Sequence, residues 1–343
     1  MGSYHNFLKK YDKDYHIELL EKQSEMICFV SQKLASGKRI QELELIKRLL
    51  IYKDKISQSY ENYMIEKYNL VIEKQEQMSI KNVLTNEFTV GTGKKTFANS
   101  IFLKEEDGDY AVSDSFSNAL QNQDFNKMLF DLIEFGVNRY NKNYINRYKN
   151  TDLVLYQKYT YEDVCRVLNW SHNEVATNIG GYKYNEETNT FPVFINYEKG
   201  EHINESIKYE DRFLTSKKLI ALSKQPRTIK SPDIVKNYNA DKTDTKIYLF
   251  IRKNKDDKES KEFYFMGEIH AIGQPNPVTI SNKNAYPKFH LTMHCFLCDV
   301  VSGNLTLLEH EDSRWLSANE LNSVEWLPAD IDVLDKVAKY LNN

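Results

Sequence analysis

Apolar residues recur at helical spacing through the first part of the chain. Between His16 and Lys38, Leu19, Leu20, Ile27, Val30 and Leu34 fall near one face, and Gly37 supplies a natural C-cap. Arg39–Asp54 repeats the pattern with Ile40, Leu43, Ile46, Leu49 and Leu50, and two further amphipathic stretches follow, Ile56–Leu70 and Glu73–Phe88. The period then changes from helical to alternating. Asp107-Gly108, between "SIFLKE" and "YAVSD", marks a hairpin turn. Three helices followed by a hairpin is the order of a winged helix, so residues 39–116 are expected to form one. The helix "FNKMLFDLIEFGVNRYNKNY" follows, and polar "NRYKNTD" sets a boundary near residue 150.

The second half reads mostly as strand. "LVLYQKYTYEDVCRVLNW" predicts a short strand and a short helix capped by Thr160, with Asp163 three residues later. "GGYKYNEETNTFPVFINYEK" predicts a hairpin with "NEETN" as its turn, placing Tyr182 and Tyr184 on one face. Further strands are expected in "TKIYLFIRK", "KEFYFMGEIHAI", "PVTIS", "KFHLTMHCFLCDVV" and "NLTLLEH", with the breaker-rich "IGQPNPVTISNKNAYP" as an internal seam. The chain ends in a capped helical turn, a loop and a helix from Ala329. The fold class expected is α+β: a helical, winged-helix-like half (1–150), then a curved sheet or SRA/PUA-like β-barrel with flanking helices (151–343).

Composition narrows the classes. The chain has 343 residues, 41% hydrophobic and 28% charged, which describes a folded protein of two or three domains. No apolar run is long enough to span a bilayer, so no membrane partner is expected. No hydrophobic signal region opens the chain, and a cytoplasmic setting is the default. Met1-Gly2-Ser3 reads as an expression scar followed abruptly by charged sequence, so the chain is expected to be cut from something longer. The four cysteines suit a reducing compartment. Cys295 and Cys298 lie three apart on an expected strand, face opposite sides and cannot chelate one ion. No metal or cofactor is expected.

Charge is uneven. From Lys208 to Lys230 seven cations (Lys208, Arg212, Lys217, Lys218, Lys224, Arg227, Lys230) face two acids, a net +5, whereas Asp299–Asn343 carries nine acids and three bases, a net −6. Tyr209, Phe213 and Gln225 lie among those cations. Lysines on a short helix "SKKLIALSK" would be an ordinary wet face. Cations continue beyond that segment, however, and Arg227 precedes Ser231-Pro232 in a loop, where a guanidinium can fork onto phosphate or guanine.

Catalytic motifs are missing. "GTGKKT" at Gly91–Thr96 resembles a phosphate-binding loop only briefly: Phe88 stands where the first glycine belongs and Lys95 where the Mg²⁺-holding hydroxyl belongs. It reads as a wing or turn. No His-x-Lys or His-Glu-x-x-His pair occurs, and no catalytic residue is assigned.

Several blocks together resemble a known family. "RYKNTDLVLYQKYTYEDVCRVLNW", "NIGGYKYNEETNTFPVFINYEK", "KYEDRFL" with "SKQPRTIKSPDI", and "IYLFIRKNKDDKESKEFYFMGEI" are similar to the C-terminal coupling and target-recognition region of SauUSI-like, modification-dependent (type IV) restriction endonucleases that carry a superfamily II helicase. The resemblance spans about residues 1–275. It implies binding of duplex DNA carrying 5-methylcytosine or 5-hydroxymethylcytosine, with helicase and nuclease domains of the same polypeptide as partners. On that reading Lys208, Lys217, Lys218, Lys224, Arg227 and Lys230 contact phosphate. Asp211 accepts from the N4 amine of an extruded cytosine, in a pocket with Tyr209, Phe213, Tyr197 and Gln225. Residues 284–343 resemble the C-terminal half of MutT-like Nudix proteins, without the Nudix box that binds Mg²⁺. A Nudix-derived nucleotide-binding or hydrolysing protein, or a protein-interaction module, are the alternatives.

Overall fold

The computed structural model describes residues 2–52, 55–196, 212–215, 218–223, 227–253, 261–280, 291–300, 317–323, 334 and 338–339. The chain divides into two compact units. One comprises Met1–Gln157 with Tyr161–Ala176; the other comprises Lys158–Thr160 with Thr177–Asn343.

The first unit is helical. Its elements are α1 (Tyr4–Tyr11), α2 (Glu21–Phe29), which runs into a π-helical turn at Val30–Leu34, α3 (Gln41–Ile51), α4 (Ser57–Tyr68), α5 (Lys74–Leu84), the short α6 (Thr92–Thr96), α7 (Asp114–Ala119), α8 (Gln123–Asn143) and α9 (Tyr161–Val167). A two-stranded hairpin, β1 (Leu103–Glu106) and β2 (Asp109–Val112), lies between α6 and α7. Side-chain caps fix the starts: Ser113 Oγ accepts from Phe116 N at 3.1 Å before α7, and Asn122 Oδ1 accepts from Asp124 N and Phe125 N before α8. The hairpin turns at Asp107-Gly108, both with positive φ, as a tight two-residue turn demands. A chain of ring contacts, Phe29 to Phe97 and Phe102, Phe102 to Phe116, and Phe116 to Phe125, fills the core. The three helices and the hairpin expected between 39 and 116 are present as elements. "GTGKKT", read as a wing or turn, instead winds into α6.

Polar groups also enter this core. Arg39 and Glu42 are both fully buried and ion-paired, and Arg39 further donates to Ser79 Oγ, Asn169 Oδ1 and the Arg166 carbonyl. Burial opposes both charges, yet each partner holds the other ionised: Arg39 stays above its ordinary pKa and Glu42 below its own. Residues 161–176 are stitched to the helices by Lys33–Glu162 (2.6 Å), Lys38–Asp163 (2.7 Å) and Asn82 Nδ2 to the Ser171 carbonyl (2.8 Å). That is why α9 belongs to this unit although strand residues precede it.

The second unit is built on a sheet. Its elements are β3 (Lys158–Tyr159), α10 (Ala176–Ile179), β4 (Thr190–Asn196), β5 (Arg212–Thr215), β6 (Lys218–Leu222), α11 (Pro232–Tyr238), α12 (Ala240–Thr243), β7 (Lys246–Arg252), β8 (Phe263–Ile280) and β9 (Leu291–Val300), then a 3-10 turn at Ala318–Ser323. Among the described residues the sheet runs β4-β7-β8-β9-β6-β5, with β3 also pairing with β8. β4 and β7 are parallel; the other pairs are antiparallel. A parallel pair buries both faces, and β4 and β7 are accordingly apolar almost throughout. One face of this part packs Phe191, Val193, Ile195, Ile247, Leu249 and Ile251 in a core with Ile234 of α11 and Ala240 of α12. The alternate positions, Phe194 and Phe250, stack at 5.0 Å and meet Phe263 and Phe265.

Three sequence expectations change here. "SKKLIALSK" is not a helix: Lys218–Leu222 is strand β6, held by register to β9 and β5, with Leu219 buried. Five residues are too few for periodicity to separate the two states, and tertiary pairing decides. The first part of the expected seam, 272–280, is instead strand within β8, and its remainder, 281–287, lies outside the described residues. A register shift between Ile272 and Asn276 puts Pro275 in a bulge, where a missing N–H does little harm, while Pro277 stands in register with His294. The hairpin strand after "NEETN" finds its main partner in β7, since only isolated bridges, Tyr182–Val193 and Asn185–Thr190, join it to the preceding segment. Of the Nudix-like stretch, 284–290, 301–316, 324–333, 335–337 and 340–343 lie outside the described residues.

Gly37 closes the π-helical turn with φ +71°, and a Cβ there would sit 2.5 Å from the Gly136 carbonyl oxygen and 2.7 Å from Tyr140 N. Gly37→Ala is therefore expected to lower stability by about 3 kcal/mol, read as a shifted midpoint in chemical denaturation. An unchanged midpoint would contradict this packing of α8 on the turn.

Candidate nucleic-acid interface

The second unit gathers aromatic rings and cations around α11. The segment entering β4 is pinned first by its turn. Asn185 Oδ1 accepts from Thr188 N at 2.9 Å, and Asn189, at φ +51°, donates to the Thr243 carbonyl and accepts from Thr245 Oγ1. This anchoring places two rings over Phe191: Tyr182 stacks on it at 5.4 Å and Tyr184 lies beside it at 6.2 Å. The Tyr184 hydroxyl donates to Asn189 Oδ1 at 3.0 Å, which fixes the ring's direction.

Helix α11 starts after Ser231 with Pro232 in its first turn, and it buries Ile234 on the sheet. Asp233 and Lys236 stand three apart and share a side of this helix. Lys236 Nζ sits 4.5 Å from the centre of the Tyr184 ring, a cation–π contact. Arg227 Nε donates to Asp233 Oδ2 at 2.6 Å. That bond, with the Asp233 charge and the neighbouring Tyr182 phenol, holds the guanidinium above its ordinary pKa. Arg227 is one-third exposed, so its guanidinium is partly open to solvent while engaged with a carboxylate. Lys230 is exposed in the turn between them, whereas Glu186 and Glu187 are exposed on the tip of the 185–190 turn. Cationic character is thus concentrated on the α11 side.

The expected site residues distribute as follows. Tyr197, Lys208, Tyr209, Asp211, Lys217, Lys224 and Gln225 lie outside the described residues. Phe213 is in β5, opposite Leu219, and Lys218 is half-buried at the start of β6, opposite Asp299 of β9. Arg227 and Lys230 lie in the turn that precedes α11. Sequence reasoning missed Asp233 and Lys236: the basic run appeared to stop at Lys230, and only the Ser-Pro helix start pointed to one more turn bringing both onto a single side. Among the described residues no three His, Cys, Asp or Glu side chains converge as a metal site. No helix among them is long and apolar enough to cross a membrane.

The platform rests on apolar packing more than on its ion pair. Phe191→Ala should cost about 3–5 kcal/mol through the cavity left under both tyrosines. Arg227→Ala should cost no more than about 1 kcal/mol, as expected of a part-exposed pair. Equilibrium denaturation of both variants checks the contrast, and a larger loss for Arg227→Ala would reverse the assignment.

Comparison with known proteins gives domain-level matches. Residues 153–305 match a family model described as a domain of unknown function, DUF3427, and residues 1–144 match another so described, DUF8090. No curated protein matches the chain. Among solved structures, the chain is similar, at a TM-score of 0.31 and 9% identity, to the type IV phosphorothioation-dependent restriction endonuclease ScoMcrA. That similarity covers 85% of this chain and 56% of the other, so the present chain spans little more than half the length of that protein.

Proposed function

We propose that this chain is the DNA-reading portion of an ATP-dependent type IV restriction enzyme, whose motor and nuclease lie elsewhere in the same polypeptide. The observation that carries the reading is the meeting, at one end of the sheet, of the Tyr182–Tyr184–Phe191 platform with Arg227 and Lys236. Arg227, from the +5 stretch, therefore stands beside the stacked aromatics, and Lys230 is exposed in the turn that follows it. Cations on a backbone track beside rings able to stack is the combination nucleic-acid binders use. The block resemblance adds the ligand class: duplex DNA with 5-methylcytosine or 5-hydroxymethylcytosine, read by extrusion of the base. Asp211 accepts from the cytosine N4 amine in this reading. Tyr209, Phe213, Tyr197 and Gln225 enclose the ring, and Lys208, Lys217, Lys218 and Lys224 extend the phosphate track.

The energetics set the expected selectivity. A buried methyl is worth about 1 kcal/mol, roughly fivefold in affinity. Backbone contacts supply most of the binding and make it salt-dependent.

Fluorescence anisotropy with methylated and unmethylated duplexes of one sequence tests this. Binding should weaken steeply with salt, favour the methylated duplex about fivefold, and lose that preference in Asp211→Ala. Replacing Lys230 and Lys236 with alanine should weaken both duplexes alike and reduce the salt slope by about 0.9 for each phosphate no longer neutralised. Equal binding of the two duplexes by the wild-type chain sinks the modified-base reading, and salt-insensitive absence of binding favours a protein-interaction module.

A further inference from the structure

The helical unit buries two carboxyl groups that receive their hydrogen bonds from one neutral side chain. Glu76 on α5 and Asp152, in the segment after α8, are 8% and 5% exposed. Both accept from Nε2 of the fully buried Gln41, at 2.6 and 2.8 Å. Among the described residues Asp152 Oδ1 and Gln41 Oε1 have no hydrogen-bond partner. A buried carboxylate is ordinarily matched to Arg or Lys, because an unpaired charge in the interior costs several kcal/mol. The guanidinium that acts on both acids is committed elsewhere: Arg39 bonds Glu42, Ser79, Asn169 and the Arg166 carbonyl, and acts on the two acids only through space. Two carboxylates brought to one amide nitrogen in a dry site cannot both ionise at low cost.

We propose that Glu76 and Asp152 share one proton in the folded chain, and that this proton fastens residues 148–157 to α3 and α5. The surrounding groups favour this state. Glu42 adds negative charge from α3, while Arg39 and Arg147 offset part of it. Arg166 of α9 lies 3.7 Å from Glu42 and Asp163 and belongs to their side of the network. From α4, the Tyr60 hydroxyl donates to the Gln41 carbonyl at 3.0 Å, and Tyr140 faces the pair from α8. Burial lifts both phenols above their ordinary range, so neither titrates beside the acids near neutrality. Burial, then the Asp152 charge, raises Glu76 to about 7, and burial raises Asp152 as well. Backbone bonds within the segment are short-range, such as Tyr148 N to the Leu153 carbonyl at 2.6 Å, whereas the carboxyl pair ties it to α3 and α5.

The sign follows from where the proton goes. Opening the segment exposes both acids to water, where a glutamic acid ionises near 4.5. Between that value and about 7 the closed form holds one proton more than the open form. Closure is therefore favoured at low pH and loses its advantage as pH rises toward 7.

Hydrogen–deuterium exchange of the full chain, corrected for intrinsic rates, tests this at pH 5 to 8. The opening constant of amides in 148–157 should rise about tenfold per pH unit up to about 7 and then level off. In Glu76→Gln the profile should be flat, and Asp152→Asn provides the same readout should the first variant fold poorly. A flat wild-type profile, or the same slope retained in the variants, overturns the proposal. So does a slope that appears only when sodium is replaced by a bulky organic cation, which would mean that a metal ion rather than a proton balances the pair.

Discussion

The second unit hangs on one strand. β8 pairs with β3 and β7 along its first part and with β9 along the rest, and through β9 it carries β6 and β5. Eighteen residues do this without splaying because the register shifts twice, opposite Leu249–Phe250 and between Ile272 and Asn276. Each bulge adds a bend and a local twist, and Gly267, with φ +109°, takes the conformation that the first requires. β7 docks on this strand, β4 docks on β7 in parallel, and α11 seals the apolar face through Ile234. The aromatic platform and its cations occupy the positions that chain of pairings leaves them.

The helical unit depends on a different constraint, the pairing of buried charge. Arg39 connects α3 to α5 through Ser79 and to the α9 segment through Arg166 and Asn169. Such a guanidinium is costly to desolvate and strongly directional once desolvated, so it contributes specificity of packing more than net stability. Beside it, the Glu76–Asp152 pair has no hydrogen-bonded cation among the described residues, and that contrast within one network singles the pair out.

Much of the architecture was legible in the sequence. Long helices with sustained periodicity, such as 41–51 and 123–143, and the Asp107-Gly108 hairpin follow from local pattern. The mixed α+β class follows from the change of period along the chain. What escaped was set by distant partners. Nothing local tells Lys218–Leu222 that β9 awaits it, nor Thr190–Asn196 that its neighbour is parallel. Pro275 looks like a breaker until a bulge is known to hold it, and Pro277 until β9 is known to pair with it. At the site, charge counting found Arg227 and Lys230 but could not see that Asp233 engages the arginine, or that Lys236 lies over Tyr184. Those contacts are made by folding α11 back onto the β4 turn.

On the proposed function, DNA lies against the α11 side of the sheet, where rings and cations meet. Photocrosslinking of the full chain to a duplex containing one 5-methylcytosine, with the peptides identified by mass spectrometry, addresses that claim most directly. Crosslinks are predicted in 182–197 and 208–236, and an unmethylated competitor should displace them poorly. Crosslinks confined to the helical unit, or displaced equally well by either duplex, would contradict it.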